Sequence, residues 1–244
     1  MSTPVTPVLW LRSWFERLIG PALLEPVPRD HRQSDRAFRR RRVVVAVALV
    51  AGAALLGVSL SVRPGQAAFY PLTLGVAGIW AVGTALSGPV HLGYLAARGS
   101  LRRPLLSPIV LGLLAAAVFV LGALIVREIS PLRDLVNHVL AHARRGQLAL
   151  ILLVTLVNGV AEELFFRGAL FAAIGRRHPV LISTGIYAVV TVATGNPVLV
   201  FAALVMGLLF AAQRRASGGI LAPMITHLTW STVMVLTLPP LLSK

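Results

Sequence analysis

The stretch NGVAEELFFRGALF, residues 158–171, places three charged side chains inside a long apolar run. Two are the adjacent carboxylates Glu162 and Glu163, and the third is the guanidinium of Arg167. An ionisable side chain at the centre of a bilayer costs at least about 2.5 kcal/mol, and such groups are usually paired and functional. The nature of the protein therefore depends on whether this run crosses a membrane and on what its charged groups do there.

The composition of the chain indicates a polytopic membrane protein. Of its 244 residues, 57% are hydrophobic and only 13% are charged, and the mean hydropathy is +0.82. A soluble core cannot hide so much apolar surface. Cysteine is absent, which excludes disulfides and thiolate metal sites. The net charge of +15 comes from Lys and Arg in short loops beside apolar runs, as membrane topology requires, so we predict no nucleic-acid partner.

Seven apolar runs, each near the ~20 residues that cross a bilayer, follow a basic leader at residues 1–42. Within the leader, residues 8–24 carry apolar side chains at helical spacing, which predicts a short interfacial helix. The sequence thus predicts an all-α transmembrane bundle, with the leader, N-terminal helices at 43–146 and a helical core at 147–238. The predicted spans are 43–62, 67–97, 105–126, 147–174, 179–194, 197–213 and 219–238.

Three local features qualify these spans. The second is overlong, and we predict a tilt or a break near SGPVHLGY, residues 87–94. A loop and a short amphipathic piece at 127–146 separate the third span from the fourth. The fifth and sixth are short and are joined by GNP, residues 195–197, which predicts a tight hairpin.

The arginines orient the chain in a cell membrane. If the leader is cytoplasmic, the loops on its side carry the denser arginines, which lie close to the span ends. An odd number of spans then places the C-terminus outside. The arginines assigned to the cytoplasmic side are Arg36, Arg39 to Arg42, Arg98, Arg102, Arg103, Arg176, Arg177, Arg214 and Arg215.

The spacing of the buried charges separates their roles. Glu163 and Arg167 are four residues apart on one helix face and can pair directly. Glu162 is rotated by roughly 100° from its neighbour and can face a cavity. Two adjacent carboxylates in a low dielectric resist ionising together, so one can exchange a proton near neutral pH. A purely structural Glu163–Arg167 pair would leave Glu162 unexplained.

A histidine in the last span lies at a depth similar to that of Glu162. Glu162 is fourteen residues before Arg176, and His227 is twelve residues after Arg215. At 1.5 Å per residue these positions are nearly level if both segments are helical. His91, seven residues before Arg98, is predicted to be shallower.

These residues resemble the CAAX protease and bacteriocin-processing (CPBP, or Abi) family of intramembrane proteases. EELFFR, residues 162–167, fits the family's EExxxR motif, and residues 207–231 are similar to its Gly-rich span and final His-bearing helix. The resemblance covers about residues 147–238 and implies a bundle whose cavity opens to the cytoplasm. It also implies that Glu162 activates a water, that Glu163 and Arg167 brace the site, and that His227 contacts the water or the oxyanion.

Two positions depart from the family pattern. Thr191, in YAVVT at 187–191, stands where the family's FxxxH motif has His, and Ser231 stands where its HxxxN or HxxxD motif has Asn or Asp. A catalytic zinc site takes about three protein ligands, and only Glu162 and His227 are suitable here, so we predict no metal and no other cofactor. Ser231 can still donate a hydrogen bond to an oxyanion.

Three functions remain open at this stage. The first is an intramembrane endopeptidase in which a glutamate-activated water cleaves a membrane-associated protein or peptide. The second is a catalytically inactive relative that binds a membrane partner as a scaffold or immunity-type protein. The third is a small transporter or proton relay that uses Glu162 and His227, although no inverted repeat is evident. Retention of EExxxR and His227 favours the endopeptidase.

Overall fold

The computed structural model describes residues 19–28, 32–97 and 100–243, and helices dominate these parts of the chain. Strands β1 (Leu95–Ala97) and β2 (Ser100–Arg102) form one short antiparallel hairpin, in which Leu95 pairs with Arg102. The helices are α1 (Gly20–Leu23), α2 (Asp35–Ser61), α3 (Phe69–Ser87), α4 (Leu106–Val126), α5 (Ser130–Arg145), α6 (Leu148–Ile174), α7 (Pro179–Val192), α8 (Pro197–Ser217) and α9 (Leu221–Leu241).

The helices confirm an all-α polytopic bundle with about seven spans. Six of the described helices are long and apolar enough to cross a membrane: α2, α3, α4, α6, α8 and α9. The seventh apolar helix, α7, has 14 residues and rises about 21 Å. Large apolar side chains point outward, as lipid contact requires; Val118 and Ile125 of α4, for example, are 67% and 66% exposed.

The local predictions about the spans are also confirmed, except that the sixth span is not short, since α8 has 21 residues. The overlong second span breaks after Ser87, where Gly88 adopts φ 132° and ends α3. The amphipathic piece forms α5, which is docked by a 3.0 Å hydrogen bond between His142 Nε2 and the carbonyl of Val62. The hairpin between α7 and α8 turns at Gly195, and the Asn196 side chain caps α8 by accepting from the amide of Val198.

The bundle has two ends, which we name by their position relative to the leader. The leader face holds the start of α2, where the side chain of Arg41 donates to the carbonyl of Pro89, and the end of α8, where Ala216 accepts from the amide of Val27. The opposite face holds α5 and the α7–α8 turn, where Asn196 donates to the carbonyl of Leu135. Helix α6 runs from the opposite face to the leader face.

An aromatic cluster fixes α6 against α3 near the middle of the bundle. The ring of Trp80 lies 4.6 Å from that of Phe165 and 5.1 Å from that of Phe166, centroid to centroid. All three side chains are buried. Because aromatic pairs at these separations add to the energy of area burial, this cluster holds the charged stretch of α6 in a fixed position.

The leader is only partly described. The interfacial helix predicted at residues 8–24 falls largely outside the described residues, which include only its end, α1. The division of the chain into segments 1–42, 43–146 and 147–238 stays a prediction.

Candidate active site

Helix α6 changes its winding where the charged stretch lies. It is α-helical over Leu148–Glu162, π-helical over Glu163–Leu170 and α-helical again over Phe171–Ile174. π-Helical turns are rare in proteins, and those that do occur lie frequently at functional sites. The sequence reasoning assumed a regular α-helix, and no single residue in ELFFRGAL distinguishes the two windings.

A buried chain of charged and polar groups starts at Glu163. Its Oε1 atom lies 3.4 Å from Nη1 of Arg167 and 3.0 Å from Nδ1 of His227. Both Glu163 and Arg167 are almost completely inaccessible. The i, i+4 pairing expected from the sequence is therefore present, and His227 joins it from helix α9.

Arg167 is held by more than its ion pair. Its Nη2 atom donates to the carbonyl of Gly207 at 3.2 Å, and its guanidinium carbon lies 4.8 Å from the ring centroid of Tyr187 and 5.1 Å from that of Phe210. Cation–π contacts of this kind are strongest when the cation is desolvated. Arg167 thus ties α6 to α7 and α8.

Glu162 has a different environment from its neighbour. It is partly exposed, it lines a cavity, and its Oε2 atom accepts a 2.7 Å hydrogen bond from the hydroxyl of Tyr187. The resemblance implied that His227 contacts the water or the oxyanion. Its Nδ1 atom lies 3.0 Å from Oε1 of Glu163, and its ring also lines the cavity, so that role stays a prediction.

The cavity brings most of the predicted site residues together. It has a volume of about 320 Å³ and is mostly apolar, and its polar lining includes Glu162, Asn158, Tyr187, Thr191, His227 and Ser231. Glu163 and Arg167 are not part of its wall. Among the described residues that line it, Glu162 is the only acidic side chain. A single carboxylate in a largely apolar cavity is a suitable position for a proton acceptor.

The two departing positions face the cavity, but their hydroxyls are engaged in their own helices. Thr191 Oγ1 donates to the carbonyl of Tyr187 at 2.8 Å, and Ser231 Oγ donates weakly to that of Leu228 at 3.4 Å. In these orientations neither hydroxyl hydrogen is directed at Glu162.

Backbone pairing joins two segments on the leader-face side of the site. The extended segment after α3 bonds to the α8–α9 turn: Tyr94 N donates to the carbonyl of Ser217, and Ile220 N donates to that of His91. Gly93 and Gly219 touch backbone to backbone, and a Cβ atom on Gly219 would overlap the amide of Gly93. Both positions therefore require glycine.

The cavity extends toward the opposite face. Its lining continues from Glu162 to Leu60, Phe69, Thr194 and Leu199, which lie at the opposite-face ends of their helices. The side of the membrane to which the cavity opens, and the cytoplasmic position of the leader, stay predictions. The arginine pattern orients the chain and carries no information about which half of the bundle is hollow.

Sequence reasoning missed two residues of the site. Tyr187 entered it only as the aromatic position of an aligned motif, yet it holds the carboxylate of Glu162. Asn158 also lines the cavity, one turn before Glu162 on α6. Its position four residues from Glu162 was a usable signal, since residues i and i+4 share a helix face. No comparable signal identified the hydroxyl of Tyr187.

Metal binding has no obvious ligand set in the described part of the chain. No group of three or more His, Asp or Glu side chains there is placed to hold an ion. The expectation of a site without metal stays a prediction.

Comparison with known proteins found one similarity, in the C-terminal part of the chain. Residues 144–233 match the model of the type II CAAX prenyl endopeptidase Rce1-like family. No curated protein and no solved structure was found to match. The matched range begins at the end of α5 and includes Glu162, Thr191, His227 and Ser231. This match supports membership of the CPBP family for residues 144–233, which are similar to that family's sequence pattern.

Proposed function

We propose that this protein is an intramembrane endopeptidase that hydrolyses a peptide bond of a membrane-associated protein or peptide, with Glu162 as the general base. The family match supports a CAAX-type protease function. The observation that carries the finer proposal is the contrast between the two carboxylates. Glu163 is buried and paired, whereas Glu162 faces a cavity of about 320 Å³ with one hydrogen bond, from Tyr187.

The reaction begins with a water in the cavity beside Glu162. The carboxylate takes one proton as the water oxygen bonds to the carbonyl carbon of the substrate, whose carbonyl oxygen becomes an oxyanion. The same proton then passes from Glu162 to the leaving nitrogen, and the C–N bond breaks as the oxyanion re-forms the carbonyl. The products are a carboxylic acid, which loses the second proton of the water to solvent, and an amine, and Glu162 returns to its starting state.

The surrounding groups position the base and are not consumed. The Tyr187 hydroxyl holds one oxygen of Glu162, which leaves the other oxygen for the water. Glu163 accepts or shares the Nδ1 proton of His227 and so directs Nε2, on the far side of the ring, away from itself. With Nδ1 donating to Glu163, Nε2 of the neutral ring is an acceptor that can contact the water, and it can donate to the oxyanion or the leaving group only when it carries a proton. Arg167 balances the charge of Glu163.

One observation favours an inactive scaffold or immunity-type protein as the second candidate. The hydroxyls of Thr191 and Ser231 bond to their own helices, so neither replaces the imidazole or the carboxamide of the family pattern. An active site of this composition would depend on Glu162, His227 and Tyr187 alone. The two candidates make opposite predictions about peptide hydrolysis.

The test uses the full chain reconstituted in lipid vesicles with a library of lipid-anchored peptides, and mass spectrometry detects new termini. We expect the native protein to produce new carboxyl termini that contain ¹⁸O when the reaction runs in H₂¹⁸O. Glu162→Gln should lower the rate by about a hundredfold or more, because it removes the general base. Glu128→Gln is the matched control, since Glu128 is exposed and lies outside the cavity.

Two results would contradict the proposal. Absence of cleavage by the native protein across the library favours the inactive alternative. Cleavage that Glu162→Gln and Glu128→Gln leave equally intact would show that Glu162 is not the base.

A further inference from the structure

A second cavity, about 1380 Å³ in volume, lies on the leader face, away from the candidate active site. We call it the arginine pocket. It is formed where the segment before α2, the turn between α6 and α7, and the end of α8 meet. Its charged and titratable lining residues are Arg32, Arg176, Arg177, His178, Arg214 and Arg215.

The charged side chains of the described residues that line this pocket are all basic. Five guanidinium groups line it, and no Asp or Glu from the described part of the chain does. Arginines scattered around a membrane-facing surface are explained by topology alone. Here they converge on one concavity from separate segments, and a concavity lined by one sign of charge concentrates the opposite ion.

One wall of the pocket is fixed. Arg214 is only 4% exposed, and its Nε atom donates to the carbonyl of Arg167 at 2.6 Å. Its guanidinium carbon also lies 5.2 Å from the ring centroid of Phe171. The pocket is therefore built on the helix that carries the candidate active site.

The turn between α6 and α7 shapes the other wall. His178 adopts φ 47° and ψ 42° and is the only residue other than glycine with positive φ in the described ranges. A side chain in this conformation is uncommon and is a reason to look for a function. The turn places Arg176 and Arg177 at the rim, where both are exposed.

Apolar side chains complete the pocket on the side where lipid lies. Phe38, Val180 and Leu181 line it, and Leu181 is 64% exposed on the outer surface of α7. A free anion gains nothing from contact with an apolar surface, whereas the glycerol and first acyl carbons of a lipid would cover it. Basic pockets between transmembrane helices are suited to phospholipid headgroups.

We propose that the arginine pocket binds the phosphate of an anionic phospholipid, with the acyl chains along Leu181. The guanidinium groups of Arg176 and Arg177 contact the phosphate oxygens from the rim, and planar guanidinium groups suit this bidentate contact. This inference is independent of the proposed protease activity.

The experiment measures lipid retention by native mass spectrometry on the full chain in neutral detergent. The probes are phosphatidylglycerol, phosphatidylcholine and inorganic phosphate. The test variant is Arg176→Gln/Arg177→Gln. The matched control is Arg36→Gln/Arg39→Gln, which removes two exposed charges from the same face outside the pocket. Circular dichroism and the melting temperature without lipid confirm that both variants fold.

We expect retention of phosphatidylglycerol over phosphatidylcholine, with the affinity for phosphatidylglycerol about tenfold or more weaker in the test variant, because each lost arginine weakens the attraction. The control should change it less than twofold. Equal losses in both variants would show diffuse attraction and overturn the proposal. Displacement of the lipid by an equal concentration of inorganic phosphate would overturn the lipid as the occupant and indicate a free-phosphate site. Equal retention of the two lipids would also overturn it.

Discussion

Removal of Arg167 should destabilise the protein more than any other single loss of charge in the site. The side chains of Arg167 and Glu163 are 2% and 0% exposed, and their closest charged atoms are 3.4 Å apart. Arg167→Ala leaves a buried carboxylate whose remaining partner is Nδ1 of His227. Breaking a buried pair in this way costs about 3–5 kcal/mol, a large part of the ~5–15 kcal/mol that stabilises a typical native protein.

The same substitution at an exposed pair provides the control. Arg127 and Glu128 are in contact at 2.8 Å, but their side chains are 46% and 71% exposed, so Arg127→Ala should cost about 1 kcal/mol or less. Both variants are compared by equilibrium unfolding in detergent and by the yield of monodisperse protein. Glu163→Gln/Arg167→Met, which removes both charges, should be less destabilised than Arg167→Ala. Equal stability of Arg167→Ala, Arg127→Ala and Glu162→Ala would refute the reasoning and assign Arg167 to chemistry or substrate binding.

Three further changes test the site and its surroundings. Tyr187→Phe removes the hydrogen bond to Glu162, about 1.5–3 kcal/mol for a charged acceptor, and should lower kcat by about 10- to 100-fold with a smaller effect on KM. The chain has no cysteine, so a single introduced cysteine shows on which side of the membrane it lies. An impermeant maleimide applied to sealed vesicles should label Leu199→Cys and Ser34→Cys from opposite sides. Burial lowers the pKa of His142 below its usual value near 6.5, so its contribution to stability is complete above about pH 6.5 and is lost as the pH falls. His142→Gln should flatten that part of an unfolding curve measured between pH 5 and 8.

The sequence predicted the helices and the charged centre because both depend on strong local signals. Apolar length alone locates most spans, and Gly88–Pro89 marks the break in the second. Glu162, Glu163 and Arg167 stand out because an ionised side chain in lipid is costly. Each of these features can be predicted from a single segment of the sequence.

Features that depend on packing between helices could not be predicted from single segments of the sequence. The π-helical turn at Glu163–Leu170 and the choice of Glu163 as the partner of His227 arise from how α6 meets α9. The Gly93–Gly219 contact likewise joins residues far apart in the chain. The hydrogen bond of Tyr187 to Glu162 likewise depends on the position of α7 relative to α6.

The last prediction concerns the two positions that depart from the family pattern. Thr191 lies one turn beyond Tyr187 on α7, and Ser231 lies one turn beyond His227 on α9, and all four line the cavity that holds Glu162. A hydroxyl can hydrogen-bond a water, but it cannot take a proton or hold charge near neutral pH. The native chain should therefore be a slow enzyme.

Thr191→His would place an imidazole at the cavity wall, and Ser231→Asn would supply an amide donor with longer reach. Because a well-placed proton-transfer group is typically worth about a hundredfold or more, we expect the double variant to cleave membrane-anchored peptides faster by about that factor. Adding Glu162→Gln should abolish the gain, since the base is then missing. Thr194→His controls for an added imidazole, because Thr194 lines the cavity nearer the opposite face. A native protein that already cleaves well and is slowed by Thr191→His would show that Thr191 is part of a different working site, and that the imidazole of the family pattern is not needed at this position.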